Sequence, residues 1–234
     1  MSRVVLITGS STGFGRATAE AMARRGYSVF ATMRDSAGRN TSHREALESL
    51  AKRENLALRV LEMDVASDES VSSATQEALK SAGRIDVVVN NAGVAMLGIT
   101  EAYSIAKMQR LFEVNLFGSA RVNRAVLPAM RRQRSGLLIH VSSAAGRVVV
   151  PYFGIYSASK FALEALADSY RSELAPFGVD SVIVEPGIHR TPILENFQAP
   201  DDEDRAAEYR PGADYVARVK AVFDAANAAP ETPG

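Results

Sequence analysis

Val4-Val5-Leu6-Ile7-Thr8-Gly9-Ser10-Ser11-Thr12-Gly13-Phe14-Gly15 opens this chain. The first five residues are apolar and β-branched, which reads as a short buried strand. Glycine and serine punctuation follows at once. A helix is then predicted from about Gly13 to Arg25, with Gly26 as its C-terminal cap. A strand that turns through glycines into a helix is the opening of a βαβ unit. Glycines at 9, 13 and 15 let the backbone turn sharply and approach a bulky anion, and the helix N-terminus offers free N–H groups to a pyrophosphate. The spacing is G-x-x-x-G-x-G, whereas the commonest dinucleotide fingerprint is G-x-G-x-x-G. Such a turn also occurs for tightness alone, so the position directly after the first strand carries the argument.

Outward from that stretch the rhythm repeats. Strands are predicted at 27–33, 57–63, 85–90, 136–142 and 179–185, and helices at about 41–54, 68–82, 104–134 and from Tyr156 to Pro176. Pro128 is expected to kink or break the long fourth helix. The continuous apolar run Ile85-Asp86-Val87-Val88-Val89-Asn90 suits a parallel sheet covered on both faces. The fold class is therefore α/β: a doubly wound parallel sheet in three layers, of about six strands, with right-handed crossovers. No linker or internal repeat divides the 234 residues, so one domain spanning 1–234 is expected, with a loose tail at about 225–234. In such sheets ligands bind beyond the carboxyl ends of the strands. Thr8–Gly15, Asn90–Gly93, Ser142-Ser143 and Pro186-Gly187 each follow a predicted strand.

Composition narrows the chemistry. Lys plus Arg (27) equals Asp plus Glu (27), so charge makes no case for nucleic acid or a membrane surface as partner. The absence of cysteine excludes disulfides, thiolate metal sites and cysteine nucleophiles. His43, His140 and His189 are scattered without metal-ligand spacing, and no metal is expected. The start has no signal-peptide shape and no stretch is long enough to span a bilayer, so a soluble cytoplasmic protein is expected.

The second informative pattern is Ser143, then Tyr156-Ser-Ala-Ser-Lys160. Tyr and Lys four apart share a helix face. An ammonium beside a phenol favours the phenolate. Two unit charges roughly 4 Å apart gain about 4 kcal/mol at an effective dielectric near 20, up to about three pKa units before desolvation opposes it. A tyrosine tuned in this way exchanges a proton with a carbinol or carbonyl oxygen, and a nearby serine hydroxyl holds that oxygen. Taken alone the Y-x-x-x-K spacing is common on solvated helix edges, and its meaning depends on its surroundings.

Coenzyme preference is read at the end of the second strand. An acidic side chain there would accept the ribose hydroxyls of NAD. The chain has Thr32-Met33-Arg34, and Arg34 can pair with a 2′-phosphate, with Arg16 assisting. NADP(H) is favoured on that basis. Asp35 turned inward in place of Arg34 would restore NAD(H).

Together these pieces resemble the short-chain dehydrogenase/reductase family, with its Rossmann-like fold, over nearly the whole chain and in family order. Gly9, Ser11, Gly13, Phe14 and Gly15 lie in a segment similar to its cofactor loop. Asp64-Val65 resembles the pair that contacts the adenine. Asn90-Asn91-Ala92-Gly93 is similar to the family's NNAG element, and Asn115 in Val-Asn-Leu looks like its active-site asparagine. Ser143, Tyr156 and Lys160 match its serine, tyrosine and lysine; by the same spacing Ser142 is structural. Pro186, Gly187, Ile188 and Thr191 resemble the segment that grips the nicotinamide carboxamide. The resemblance implies Tyr156 as general acid or base and Ser143 orienting the substrate oxygen. It implies Lys160 lowering the phenol's pKa and bonding the nicotinamide ribose, and Asn115 holding a water that continues a relay from Lys160. It further implies a homodimer or homotetramer acting on a small alcohol or ketone.

Two departures from the family pattern are visible. No last strand follows the substrate-binding region, so either the chain is a truncated form or the sheet stops at six strands, which exposes an edge. His189 and Arg190 stand where small or apolar residues are frequent, and are expected to face solvent. Val148–Phe153 is expected to form an apolar wall, Ile193–Phe197 a lid over it, and Asp201–Arg205 a solvated stretch, which favours an apolar substrate. The Ala-Thr-Met-Arg34-Asp35 run is reminiscent of the steroid- and retinol-dehydrogenase-like branch of the family. Two other functions remain open: a non-catalytic dinucleotide sensor or scaffold, and a lyase or epimerase on the same fold.

Overall fold

The computed structural model describes residues 2–187, 189, 193, 197–209, 217–219, 221, 222 and 225. Their strands form a six-stranded parallel sheet in the order β3-β2-β1-β4-β5-β6, with β1 Val4–Ile7, β2 Ser28–Met33, β3 Leu58–Glu62, β4 Val87–Asn90, β5 Gly136–Val141 and β6 Val179–Val184. The order reverses between β1 and β4, and that switch point is where the crevice opens. Val5 pairs with Val29 on one side and Val87 on the other, so the first strand is central.

Side-chain alternation along β1 explains the layers. Val4 and Leu6 enter a core with Val88 and Leu138, capped by α3 (Asp68–Ala82) and α5 (Gly118–Gln133) through Val71, Ala74, Val122, Val126 and Met130. Val5 and Ile7 enter the opposite core, covered by α1 (Gly13–Arg24) and α2 (Thr41–Glu54) through Ala19, Ala23, Leu47 and Ala51. A strand buried on both faces must be apolar at successive positions, as β1 and β4 are. Truncating a buried leucine such as Leu6 or Leu138 to alanine would cost about 2–5 kcal/mol.

The predicted elements are present with edges shifted by a residue or two. α1 ends where expected, with Gly26 in the left-handed region at φ +84°. β4 starts later than expected because Asp86, 8 % exposed, turns its carboxylate to the Val4 N–H at 2.7 Å and to Arg84. The long fourth helix departs from expectation. α4 (Ile105–Phe112) passes through a π-helical turn at Glu113–Phe117 into α5, which runs through Pro128 to Gln133. The expected break at Pro128 is absent, since Val126, Leu127, Ala129 and Met130 around it are held in the core. The irregularity falls earlier, at Asn115. α6 (Gly154–Leu174) and the short α7 (Glu203–Glu208) complete the described helices. Among the described residues β6 is an edge strand, and no helix is long and apolar enough to cross a membrane. The expected tail lies outside the described residues from 226 onward.

Candidate active site

The glycine loop is shaped by contacts that a sequence does not display. The Thr8 hydroxyl accepts from the backbone N–H groups of Asn91 (3.0 Å) and Ala92 (2.9 Å), tying the end of β1 to the segment after β4. The Asn91 amide donates to the carbonyls of Thr8 (2.8 Å) and Gly9 (3.0 Å). Gly9 adopts φ +68°, and a Cβ there would lie 2.8 Å from the Ala92 Cα. A Cβ on Gly15 would collide with the Gly9 carbonyl oxygen and the Asn91 amide. α1 starts directly after the loop, Thr12 makes no side-chain cap bond, and no acidic residue lies in its first turn. Its leading N–H groups are therefore open to an anion.

A cavity of about 830 Å³ extends from this loop across the carboxyl ends of the strands. Gly9, Ser11, Gly13, Phe14, Arg34, Asp64, Val65, Asn91, Ala92, Gly93, Ser143, Tyr156, Lys160, Pro186 and Gly187 all line it. Gly15 shapes the loop from behind. Ile188 and Thr191 lie outside the described residues.

At the cavity's basic end Arg34 is exposed, joined by Arg39, Asn40 and His43, which the sequence reading missed. Their signal was an arginine- and histidine-bearing run after β2, but their facing depends on a distant contact. Glu62 accepts from the backbone N–H groups of Asp35 (2.6 Å) and Ser36 (2.7 Å) and sets the turn. Asp35, at φ +51°, directs its carboxylate to the Arg39 N–H at 3.1 Å, away from the cavity. Arg16 is not at this end; it pairs with Glu20 at 2.9 Å.

Tyr156 and Lys160 project from α6, and Ser143 from the segment after β5. Tyr156 is 9 % exposed, and the Ser143 side chain lies near enough to its hydroxyl to favour the phenolate. Lys160 is 5 % exposed, donates to the Val141 carbonyl at 2.8 Å, and lies 5.7 Å from the centre of the Tyr156 ring. Both groups sit in dry surroundings, and burial is the leading influence on each. Burial pushes Tyr156 upward, opposed only by the Ser143 hydrogen bond. Burial also pulls the Lys160 ammonium down to about 8, opposed by Glu164. Ser142 is structural, as expected: its hydroxyl donates to the buried Glu164 carboxylate at 2.6 Å. Asn115, 1 % exposed in the π turn, grips Val94 by accepting from its N–H and donating to its carbonyl, both at 2.9 Å, and donates to Ser159 at 3.0 Å.

The other end of the cavity is apolar. Val150, Phe153, Ile193, Phe197 and Val219 line it, and Phe153 packs edge-on against Tyr156 and Phe197. The expected wall is thus half present: Val148 and Val149 are instead 65 % and 63 % exposed. Within the expected lid Ile193 and Phe197 reach the cavity, and the residues between them lie outside the described set. His189, expected to face only solvent, is exposed yet borders the cavity with its ring 5.3 Å from Phe14. Asp201 is not merely solvated, since it accepts from the Ser104 N–H at 2.8 Å and anchors the segment to the start of α4. Among the described residues no group of three His, Asp or Glu could hold a metal ion.

Residues 3–202 match the model of the short chain dehydrogenase family, and the chain belongs to that family. It is 39% identical over 215 residues to retinol dehydrogenase 8 of Bos taurus, covering 91% of this chain and 66% of that protein. It is 36% identical over 237 residues to human 17-beta-hydroxysteroid dehydrogenase type 1, covering 97% of this chain and 70% of the relative. Among solved structures it resembles a gluconate 5-dehydrogenase from Burkholderia cenocepacia in complex with NADP and tartrate (TM-score 0.76, 27% identity, 82% of this chain and 74% of that one). It also resembles a short chain dehydrogenase/reductase from Burkholderia phymatum in complex with NAD (TM-score 0.77, 28% identity, 83% and 69%). The chain thus spans just under two thirds of the length of the retinol dehydrogenase it matches.

Proposed function

We propose that this protein is an NADP(H)-dependent oxidoreductase that interconverts a secondary alcohol and a ketone on a fairly apolar substrate. One observation carries the reading: a buried tyrosine, beside a serine and one turn from a buried lysine, lines the same cavity as the glycine loop. The loop fits a dinucleotide, because its shape depends on glycines whose added Cβ would meet backbone, and the uncapped start of α1 faces it. Gly9, Ser11, Gly13 and Phe14 would hold the pyrophosphate. Asp64 and Val65 would border the adenine, Asn91 to Gly93 the middle, and Pro186 and Gly187 the nicotinamide. The bound coenzyme would supply or accept a hydride.

The side chains do the rest. Tyr156 keeps its proton at neutral pH because burial raises it, so it acts as general acid toward a carbonyl oxygen; the reverse direction requires it to act as base. Ser143 bonds that hydroxyl and orients the substrate oxygen beside it. Lys160 supplies positive charge at the base of the pair. Asn115 fixes the Val94 backbone and, through Ser159, the helix that carries Tyr156. Arg34, with Arg39 near it, supports NADP(H) over NAD(H), and Asp35 turned aside removes the acidic competitor. Val150, Phe153 and Phe197 favour an apolar substrate, the character shared by the retinol and hydroxysteroid for which the two relatives are named. Exposed Ile105, Phe117 and Phe161 on neighbouring helices support pairing of two copies. The test is to mix the purified protein with NADPH and a panel of apolar and polar ketones and follow the reduced coenzyme by absorbance. Steady oxidation with the apolar members supports the reading. Tight coenzyme binding with no turnover anywhere would replace it with a non-catalytic dinucleotide binder.

A further inference from the structure

One buried charge in this region has no part in the chemistry above. Glu164 follows Lys160 by one turn of α6, on the same face, and is 3 % exposed. A carboxylate so deeply buried is costly unless it is paired and hydrogen-bonded. Its partners are specific. Ser142 donates to Oε1 at 2.6 Å, and Arg147 lies 2.9 Å from Oε2 while also bonding Glu185 at 2.8 Å. Gly146 makes room for it, since a Cβ there would collide with Glu164 Oε1 and lie 2.6 Å from the Ser142 hydroxyl. Ser142 and Arg147 flank Ser143 on both sides in sequence. One carboxylate is therefore hydrogen-bonded to one end of the segment that carries Ser143 and ion-paired to the other, one helical turn from Lys160.

Resting on the catalytic reading above, we propose that Glu164 is a positioning residue, a buried counter-charge that couples Lys160 to the Ser143 segment through Ser142 and Arg147. The groups that surround Lys160 bear this out. Its ammonium lies 5.7 Å from the centre of the Tyr156 ring and bonds the Val141 carbonyl, Glu164 follows one turn along α6, and the β5 ring of His140, 0 % exposed, feels its charge. His140 is itself pulled down to about 4 by burial and by Lys160, so it is neutral at ordinary pH. Glu164 is thus the anion that opposes the desolvation of this lysine. Arg147, half-exposed, draws on the same carboxylate from the solvent side.

The test is the pH profile of kcat for NADPH-dependent ketone reduction in three variants. Glu164→Gln keeps a side-chain oxygen for Ser142 and removes the charge. Its alkaline limb is expected to move down by about one pH unit, with kcat at pH 7 reduced roughly twofold, kcat at pH 8 reduced about fivefold, and the KM for NADPH changed less than about threefold. Glu164→Asp keeps the charge and shortens the reach, so kcat should fall with the limb close to its original position. Arg147→Ala frees the carboxylate from its competitor and should move the limb upward. Opposite shifts in the Gln and Ala variants support the proposal. A Glu164→Gln profile that overlays the parent, or limbs that move together, overturns it. If Glu164→Gln fails to fold by circular dichroism, the Arg147→Ala shift decides alone, and an unmoved limb there overturns it. Tyr156→Phe, run beside them, separates the two claims: parent-like turnover in that variant removes the catalytic reading itself, whereas an inactive Tyr156→Phe with an unshifted Glu164→Gln removes only the role of Glu164.

Discussion

Acidification should destabilise this protein in part through His140. The ring is 0 % exposed, stacked 6.3 Å from Tyr170 at an interplanar angle of 6°, and neither of its nitrogens has a hydrogen-bond partner. Burial and the nearby Lys160 charge lower its pKa from 6.5 to about 4. The unfolded chain therefore binds a proton that the folded chain refuses. The stability this contributes is fully present above pH 6.5 and is lost as pH falls through the folded value. With 1.36 kcal/mol per unit, the loss is about 2 kcal/mol by pH 5 and roughly 3 kcal/mol by pH 4. Urea denaturation at a series of pH values, on the parent and on His140→Gln, isolates this contribution, because other titrating groups cancel in the difference. The parent should lose about 2 kcal/mol more than the variant between pH 7 and pH 5. Parallel curves would mean that the folded state accepts a proton on this ring, and the account of its surroundings would be wrong.

Three further outcomes follow from particular contacts. Gly15→Ala places a methyl against the Gly9 carbonyl and the Asn91 amide, and should lower stability by about 1–3 kcal/mol and weaken NADPH binding at least about tenfold; unchanged urea midpoint and fluorescence titration would contradict this. Asp86→Ala leaves the Val4 N–H without its 2.7 Å partner and should cost about 1–3 kcal/mol in chemical denaturation, whereas no loss would mean that water replaces the carboxylate. Arg34→Asp should shift kcat/KM preference toward NADH by about tenfold or more; an unchanged ratio would take Arg34 out of coenzyme choice and leave Arg39 or His43.

Much of this architecture was legible because its signals are local. The run from Val4 to Gly15 carries a strand, a glycine turn and a helix start, and each appears within a residue of its expected place. The separation from Tyr156 chose Ser143 over Ser142, and the buried bond from Ser142 to Glu164 agrees. What stayed hidden depends on contacts distant in sequence. The irregular turn of the long helix lies at Asn115, which grips Val94 twenty-one residues away, whereas the helix runs on through Pro128 without a break. Arg39 and His43 face the cavity because Glu62 organises the turn after β2. How deeply Tyr156 and Lys160 are buried was not legible either, because spacing reveals proximity but not burial.

The central claim is that the Tyr156 hydroxyl transfers the proton in a hydride-transfer reaction. The most direct measurement compares steady-state ketone reduction and NADPH binding in the parent and in Tyr156→Phe, which deletes one oxygen from a packed side chain. Turnover should fall by about 10²–10⁴-fold while the NADPH dissociation constant stays within about threefold. Turnover close to the parent's in that variant would contradict the claim.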